Sequence, residues 1–524
     1  MDVPAPGAPH TPASQARIAA EHAESAARDL RVAGRNAVTL GGSLILTWGV
    51  AFFVRFQLPR YLGPAQFGAF NFADAFSAAF FTLAELGVDT YIIREVTVRQ
   101  KHASDFAGGV LVARLLAALV LLCGMWIALS ASGRPAVVQH AVLVFGLAQL
   151  ATINNNSMAA LLQASTHVKR LAVANVLSKV IWGAGLAVVI LLEGSLPLLV
   201  LPLLVAELVK TAMLLPQVRT LAHVEFRFDR VATKLVLLAS LPYFLNSGAV
   251  NIGARLTAAA LEFATSDKNE VGWYGASANL AGLAMLLSPL ISWVMMPLLA
   301  RARDRSEREA YAILRRAIEA LMVMIIPFTL FIILAADELV LLAFGAKFAN
   351  SAPALRVLAF DFMPMYIAII ASAMLVLNGR HWAVTATSVV AIPLRALAIG
   401  PLAALFGRWY GVGGVAMGAA LTEVIGISLT AVVSLWLCGR QALDRRAAVA
   451  IAKSLAVALV VLVLDRLMLP LGFIRLPIDM LAYVAVALAI RVVTIADLRA
   501  LLAIVKAGRA GETPSPAVIP DTPA

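Results

Sequence analysis

LPLLVLPLLVAELVKTAMLL, residues Leu196 to Leu215, runs for twenty residues and carries two charges, Glu207 and Lys210. At about 1.5 Å of rise per residue, a helix of this length reaches about 30 Å, the thickness of a bilayer's hydrocarbon core. A membrane strand would be about ten residues long and would alternate in polarity, which this stretch does not. It reads as one transmembrane helix, a structure that satisfies its own backbone groups in lipid. Thirteen further runs of the same kind extend outward from it, at 36–58, 68–87, 108–129, 138–162, 171–192, 235–258, 274–299, 317–334, 354–377, 382–406, 412–437, 449–469 and 480–495. The sequence therefore predicts an all-α polytopic membrane protein of about 14 transmembrane helices.

Composition agrees. Of 524 residues, 61% are apolar and 14% charged, whereas a soluble domain carries about 25% charge. Lys and Arg exceed Asp and Glu by 12; in a soluble chain that would suggest nucleic acid, but among membrane spans it reflects cytoplasmic loops, so no nucleic-acid partner is expected. Alternate connections carry very unequal charge. One side, beginning with Arg17, Arg28, Arg31 and Arg35 and ending with Arg499, Lys506 and Arg509, holds 25 basic residues; the other holds 6, namely Arg60, Arg134, Lys268, Lys347, Arg408 and Arg475. The bias places both termini in the cytoplasm.

Cys123 and Cys438 lie inside apolar runs and the histidines show no metal-ligand spacing, so no disulfide framework, metal or cofactor is expected. Without a G-x-x-x-x-G-K-[ST] motif or a connection long enough for a folded domain, neither an ATPase nor an enzyme is expected. Residues 301–316, RARDRSEREAYAILRR, suit either a basic helix on anionic lipid or a solvated connector.

Unusual residues recur at a nearly constant offset. Arg55 and Arg255 are 200 residues apart, Gly68 and Gly272 are 204, and Arg114 and Arg316 are 202. Later, Gln163 and Asn378 differ by 215, and Lys179 and Arg395, like Glu207 and Glu423, by 216. This pattern implies two parallel six-helix repeats forming two lobes, 36–217 and 235–438. A connector at 218–234 joins them, an arm at 1–35 precedes them, and two C-terminal helices at 449–495 and a disordered tail at 506–524 follow. Transporters built from such repeats bind substrate near midplane.

A charge inside the bilayer costs about 2.5–3.5 kcal/mol on insertion scales, so those present are candidates for function. Arg55, Arg255, Arg395 and Lys179 form the substrate-binding candidates, since guanidinium and ammonium groups favour an anionic substrate. For Arg55 and Arg255 the alternative is snorkelling to headgroups; for Lys179 and Arg395 it is structural pairing with Glu207 and Glu423. Asp74, Glu85, Asp89 and Glu423 are the ion-coupling candidates, because a carboxylate in low dielectric exchanges protons near neutral pH. Asn154, Asn155 and Asn156 suit sugar hydroxyls or helix-to-helix bonds.

Four stretches carry a family resemblance: RYLGPAQFGAF (Arg60 to Phe70), LGVDTYIIREV (Leu86 to Val96), FGAKFANSAPALRVLAF (Phe344 to Phe360) and GVGGVAMGAALTEVIG (Gly411 to Gly426). In order and spacing they resemble the oligosaccharide flippases of bacterial polysaccharide assembly, in the superfamily that also holds multidrug extruders and peptidoglycan-precursor flippases. The resemblance implies a two-lobed, fourteen-helix transporter that moves an undecaprenyl-diphosphate-linked oligosaccharide to the periplasmic leaflet. It also implies membrane lipids, H+ or Na+, and other polysaccharide-assembly proteins as partners. An ion-coupled drug or metabolite antiporter of the same fold is the alternative, and a membrane polysaccharide polymerase a more distant one.

Overall fold

The computed structural model describes residues 12–490 except 90, 93–95, 97–102, 166–167, 221–227 and 284–287. Arg94, Arg99, Lys101 and the 506–524 tail of the sequence reading lie outside the described residues. Every regular element among them is helical. In order these are α1 (Pro12–Glu85), α2 (Ala103–Ala131), α3 (Ala136–Ala164), α4 (Val168–Leu191), α5 (Leu196–Thr220), α6 (Arg230–Ala264), α7 (Lys268–Ala281) and α8 (Ser288–Arg305). They continue with α9 (Glu307–Leu334), α10 (Ala336–Phe344), α11 (Ala352–Leu358), α12 (Phe362–Leu377), α13 (His381–Tyr410), α14 (Gly414–Cys438), α15 (Arg445–Met468) and α16 (Arg475–Ala489). Short 3-10 turns link some of the later helices. Among the described residues ten stretches are long and apolar enough to span a bilayer; two of them, 49–85 and 445–489, each reach into two of the apolar runs.

The ends of these helices are set by polar residues at the membrane surface. Asp229, Asp267, Ser306 and Asp444 each accept a backbone N–H from the first turn of α6, α7, α9 and α15, satisfying donors that helix geometry leaves without a partner. Ser306 also corrects the sequence reading of 301–316. That stretch is not one surface helix, because Ser306 at φ −165 and ψ 147 ends α8 and starts α9. Its charges pair across the break, Arg305 with Glu309 at 3.0 Å.

Side chains on the outside are large and apolar: Leu191 is 82% exposed, Leu397 76% and Trp409 77%. Such a surface is tolerated only where hydrocarbon replaces water. Trp382 opens α13 and Trp409 with Tyr410 closes it, marking about 40 Å of helix, which matches the bilayer with its headgroup layers.

The contacts gather the chain into two compact units. One holds the residues up to Arg55 together with Ala84–Tyr243; the other holds Phe56–Leu83 and the residues from Phe244 onward. Residues 56–83, inside the first of the two expected lobes, thus pack with the second unit. In the first unit a core of Ile92, Val110, Leu161, Leu214 and Val218 joins the helices. In the second, Leu314, Ile318, Tyr366, Met374 and Val461 do so.

The reason for that grouping lies in the first resemblance motif. Arg60 donates from Nε to the Ala343 carbonyl at 2.8 Å and from Nη2 to that of Leu342, placing a cation on the C-terminal end of α10. Phe67 meets Phe348 edge-on at 5.9 Å. Five residues past the kink at Gly63, α1 touches α7 through glycine. A Cβ on Gly68 would stand 2.7 Å from the Lys268 carbonyl oxygen and 2.9 Å from Gly272 N, and one on Gly272 would overlap the Pro64 carbonyl. Pro64 is to Lys268 as Gly68 is to Gly272, each pair 204 residues apart. The contact is therefore reciprocal, the signature of a two-fold axis. Glu270 completes the joint: its carboxylate accepts N–H groups of Gly413 at 2.6 Å and Ala416 at 2.8 Å, capping α14 from α7. Burial pushes this carboxyl above the ordinary carboxylate range, while those backbone donors pull the other way.

Candidate functional site

Mid-span charges concentrate in two places, one in each compact unit, and they are balanced differently.

In the first unit, Lys179 of α4 lies 4.9 Å over the ring of Trp182, one turn along its own helix. Arg55 of α1 and Lys210 and Glu207 of α5 are within electrostatic range of its ammonium. The carboxylate among them is already engaged: Asn155 of α3 donates to Glu207 Oε2 at 2.8 Å and to its backbone carbonyl at 2.9 Å, while Thr211 donates to Asn155 Oδ1 at 2.9 Å. Asn155 is fully buried and so bonds helix to helix, whereas Asn154 bonds back to Leu150 of its own helix and Asn156 is exposed. Three cations thus gather near one carboxylate in the first unit, and cations are the groups that could receive an anion.

In the second unit, Arg395 of α13, only 7% exposed, forms an ion pair with Glu423 of α14 at 3.1 Å. Thr257 of α6 donates to the other oxygen of Glu423 at 2.7 Å. Asp361 and Tyr274 lie within electrostatic range of both charges. A Cβ at Gly253 or Gly426 would collide with the guanidinium, so these glycines make room for it. One cation faces two carboxyl groups here, and Asp361 Oδ1 is buried without a hydrogen-bond partner. Carboxyl groups therefore outnumber the cation within this cluster of the second unit.

Arg255 and Asp74 come together, 2.9 Å apart and both partly exposed. The Arg255 charge is thus matched by one of the ion-coupling candidates on the facing helix. Asp89 is likewise engaged, accepting from Arg114 at 3.0 Å and from Ser157 at 2.5 Å. Glu85 closes α1, and its backbone carbonyl accepts from Arg114. Arg356, expected near a helix start, lies in the last turn of α11 and pairs with Asp337.

Arg114 is the residue the sequence reading passed over, using it only as a repeat marker. It is 1% exposed, and its guanidinium also reaches the Ile153 carbonyl at 3.1 Å and Ser157 Oγ, tying α1, α2 and α3 together. Its signal was visible: it is the one charge in the run 108–129. Arg316, its partner by offset, is exposed, so that pair of the repeat does not share an environment.

Many apolar helices, a glycine joint on a local two-fold and charge buried at mid-span define the class: a polytopic, all-helical membrane protein with the fold of multidrug and lipid transporters. The lipid II flippase MurJ in an inward closed conformation shares that fold with a TM-score of 0.66 at 14% identity, over 86% of this chain and 98% of that one. An inward-facing multidrug resistance MATE family transporter of the MOP superfamily gives 0.59 at 18% identity, over 75% and 94%. The Vibrio cholerae MATE transporter VcmN gives 0.54 at 14%, over 79% and 99%. No curated protein matches the chain. The sequence profile of the family described as polysaccharide biosynthesis protein matches residues 33–303, more than half of the chain, and the chain belongs to that family.

Proposed function

We propose that the protein is a flippase that carries an undecaprenyl-diphosphate-linked oligosaccharide from the cytoplasmic to the periplasmic leaflet of the bacterial inner membrane, by alternating exposure of one site to the two sides. In this reading both termini are cytoplasmic, the chain crosses the bilayer fourteen times, and two six-helix halves, 36–217 and 235–438, are followed by an added pair at 449–495.

The observation that carries the reading is the gathering of Arg55, Lys179 and Lys210 in the first unit beside Glu207, a carboxylate that also accepts from Asn155. Diphosphate oxygens are acceptors of charge-assisted hydrogen bonds, and a cation screened from water binds them strongly. In the second unit Arg255 is a separate anion-binding candidate, its charge shared with Asp74. Arg395 and Glu423, with Asp361, serve the coupling step. A guanidinium already fills that acidic pocket, which favours a proton over Na+ as the coupled ion. Asp74, Glu85 and Asp89 are secondary candidates for it.

The test is a strain lacking the protein, in which lipid-linked sugars are extracted and their leaflet is read with a membrane-impermeant modifying reagent. Single repeat units held on the cytoplasmic side support the flippase and identify its cargo. Unpolymerised units on the periplasmic side point to a polymerase. Unchanged lipid-linked sugars favour an ion-coupled antiporter, a reading to which the excess of carboxyl groups over Arg395 in the second unit also lends itself.

A further inference from the structure

A further group of buried charges lies away from both of these sites, where α15 and α16 pack against the ends of α9 and α10. Arg475, at the start of α16 and 8% exposed, donates from Nη2 to Glu338 Oε1 at 3.0 Å and to the Leu334 carbonyl at 3.2 Å. Its Nε lies 3.2 Å from Asp465 Oδ1 of α15. One helical turn beyond Arg475, Asp479 is entirely buried, and neither of its carboxyl oxygens receives a hydrogen bond. What faces it is the carboxyl group of Asp465, within hydrogen-bonding reach.

Two carboxylates cannot bond one another, since each only accepts. Ionised, they would also place like charges in contact in a medium without water, where a single unpaired carboxylate is already costly. The full set of facing groups does not relieve this. α9 offers the Leu334 carbonyl, α10 offers Glu338, α15 offers Asp465, and α16 offers Arg475, Asp479 and, a turn further on, Tyr483, which is near Ser454. The turn 469–474 between the helices has no ionisable side chain. One guanidinium thus faces three carboxyl groups. Among the described residues no trio of carboxylate, thiol or imidazole groups is arranged to hold a metal ion, and the arginine takes the place a cation would need.

We propose that Asp465 and Asp479 form a proton-binding carboxyl pair that holds one shared proton in the folded protein and thereby allows the C-terminal helix pair to dock on α9 and α10. A single proton between the two groups supplies the missing donor and removes one negative charge. Loss of that proton leaves Asp479 charged and without a donor, against Asp465, so the docking of α15 and α16 weakens as pH rises through the titration of the pair.

Infrared spectroscopy of the full-length protein in lipid nanodiscs tests this without reference to any transported substrate. In mildly acidic buffer the wild type shows the carbonyl stretch of a protonated carboxylic acid, and raising the pH bleaches it. Asp479→Asn removes the band, and so does Asp465→Asn, because the acid that remains then ionises beside Arg475 or faces an amide donor. Loss of one band in both single variants is the mark of a shared proton. A wild-type spectrum matching those of both variants in this region overturns the proposal, as does a band lost in Asp479→Asn but kept in Asp465→Asn, which would put an unshared proton on Asp479. Should one variant fail to fold, the wild-type titration and the other variant still decide.

Discussion

Replacing Gly272 by Ala tests the reciprocal glycine joint most directly. The added methyl overlaps the Pro64 carbonyl oxygen and sits 3.0 Å from Pro64 Cα. Each obstacle is backbone, so no rotamer change relieves it and α1 must separate from α7. Overpacking of this kind costs about 1–3 kcal/mol. Against it stands the helix preference of Ala over Gly, about 1 kcal/mol, and a matched control removes that contribution. Gly400 lies in α13 with nothing within 4 Å of an added Cβ, so Gly400→Ala gains the preference with no steric cost. The difference between the two variants in thermal unfolding, followed in nanodiscs, is the steric cost alone and should reach the upper part of that range. Gly68→Ala presses on the Lys268 carbonyl at 2.7 Å, the other half of the same contact. Once either methyl has parted the helices the second does less, so the double variant should lose less than the two singles added together. An unfolding midpoint for Gly272→Ala equal to that of Gly400→Ala, or strict additivity in the double variant, would refute the reasoning.

Three further outcomes follow from the buried charges. Arg114→Met strands Asp89 and should cost about 3–5 kcal/mol of stability, as breaking a buried pair does; adding Asp89→Asn should recover part of that loss, measured by the same unfolding assay. Arg55→Ala and Lys179→Ala each remove a charge-assisted bond to an anion worth about 1.5–3 kcal/mol, so surface polysaccharide should fall by an order of magnitude or more at normal protein level, and unchanged export would remove them from the site. Glu423→Gln takes away the partner of Arg395 while leaving the Arg55 group untouched, so transport in proteoliposomes should lose its response to a pH gradient while substrate binding persists; a preserved response would exclude Glu423 from coupling.

The helices were legible because lipid leaves little choice: a run such as 196–215 has the length and polarity of a span, and α5 covers it. The Arg395–Glu423 pair was legible through its recurrence at the offset of Lys179 and Glu207. Recurrence did not reveal that the two pairs behave differently. Glu423 takes the guanidinium, whereas Glu207 is taken by Asn155, and that choice depends on which helix faces which. Arg114 was hidden for a similar reason, since its carboxylate lies beyond the end of α1, and a sequence does not say that this end folds back beside α2. The break at Ser306 had a readable sign. Ser306 followed by Glu309 is the S-x-x-E pattern of a helix start, outweighed in the reading by the density of arginine around it. Asp465 and Asp479 are separated by a turn containing Pro470 and Gly472, and only the packing of α15 on α16 brings them face to face.

The tryptophans at the two ends of α13 have a consequence for where the protein works. Fixed about 40 Å apart along a helix, they act as a ruler that the surrounding lipid has to match. In bilayers of shorter acyl chains the helix can only tilt or thin its surroundings, at a fraction of a kcal/mol per Å of mismatch. Acyl-chain length in a reconstituted membrane thereby becomes a control on the tilt of α13, independent of headgroup.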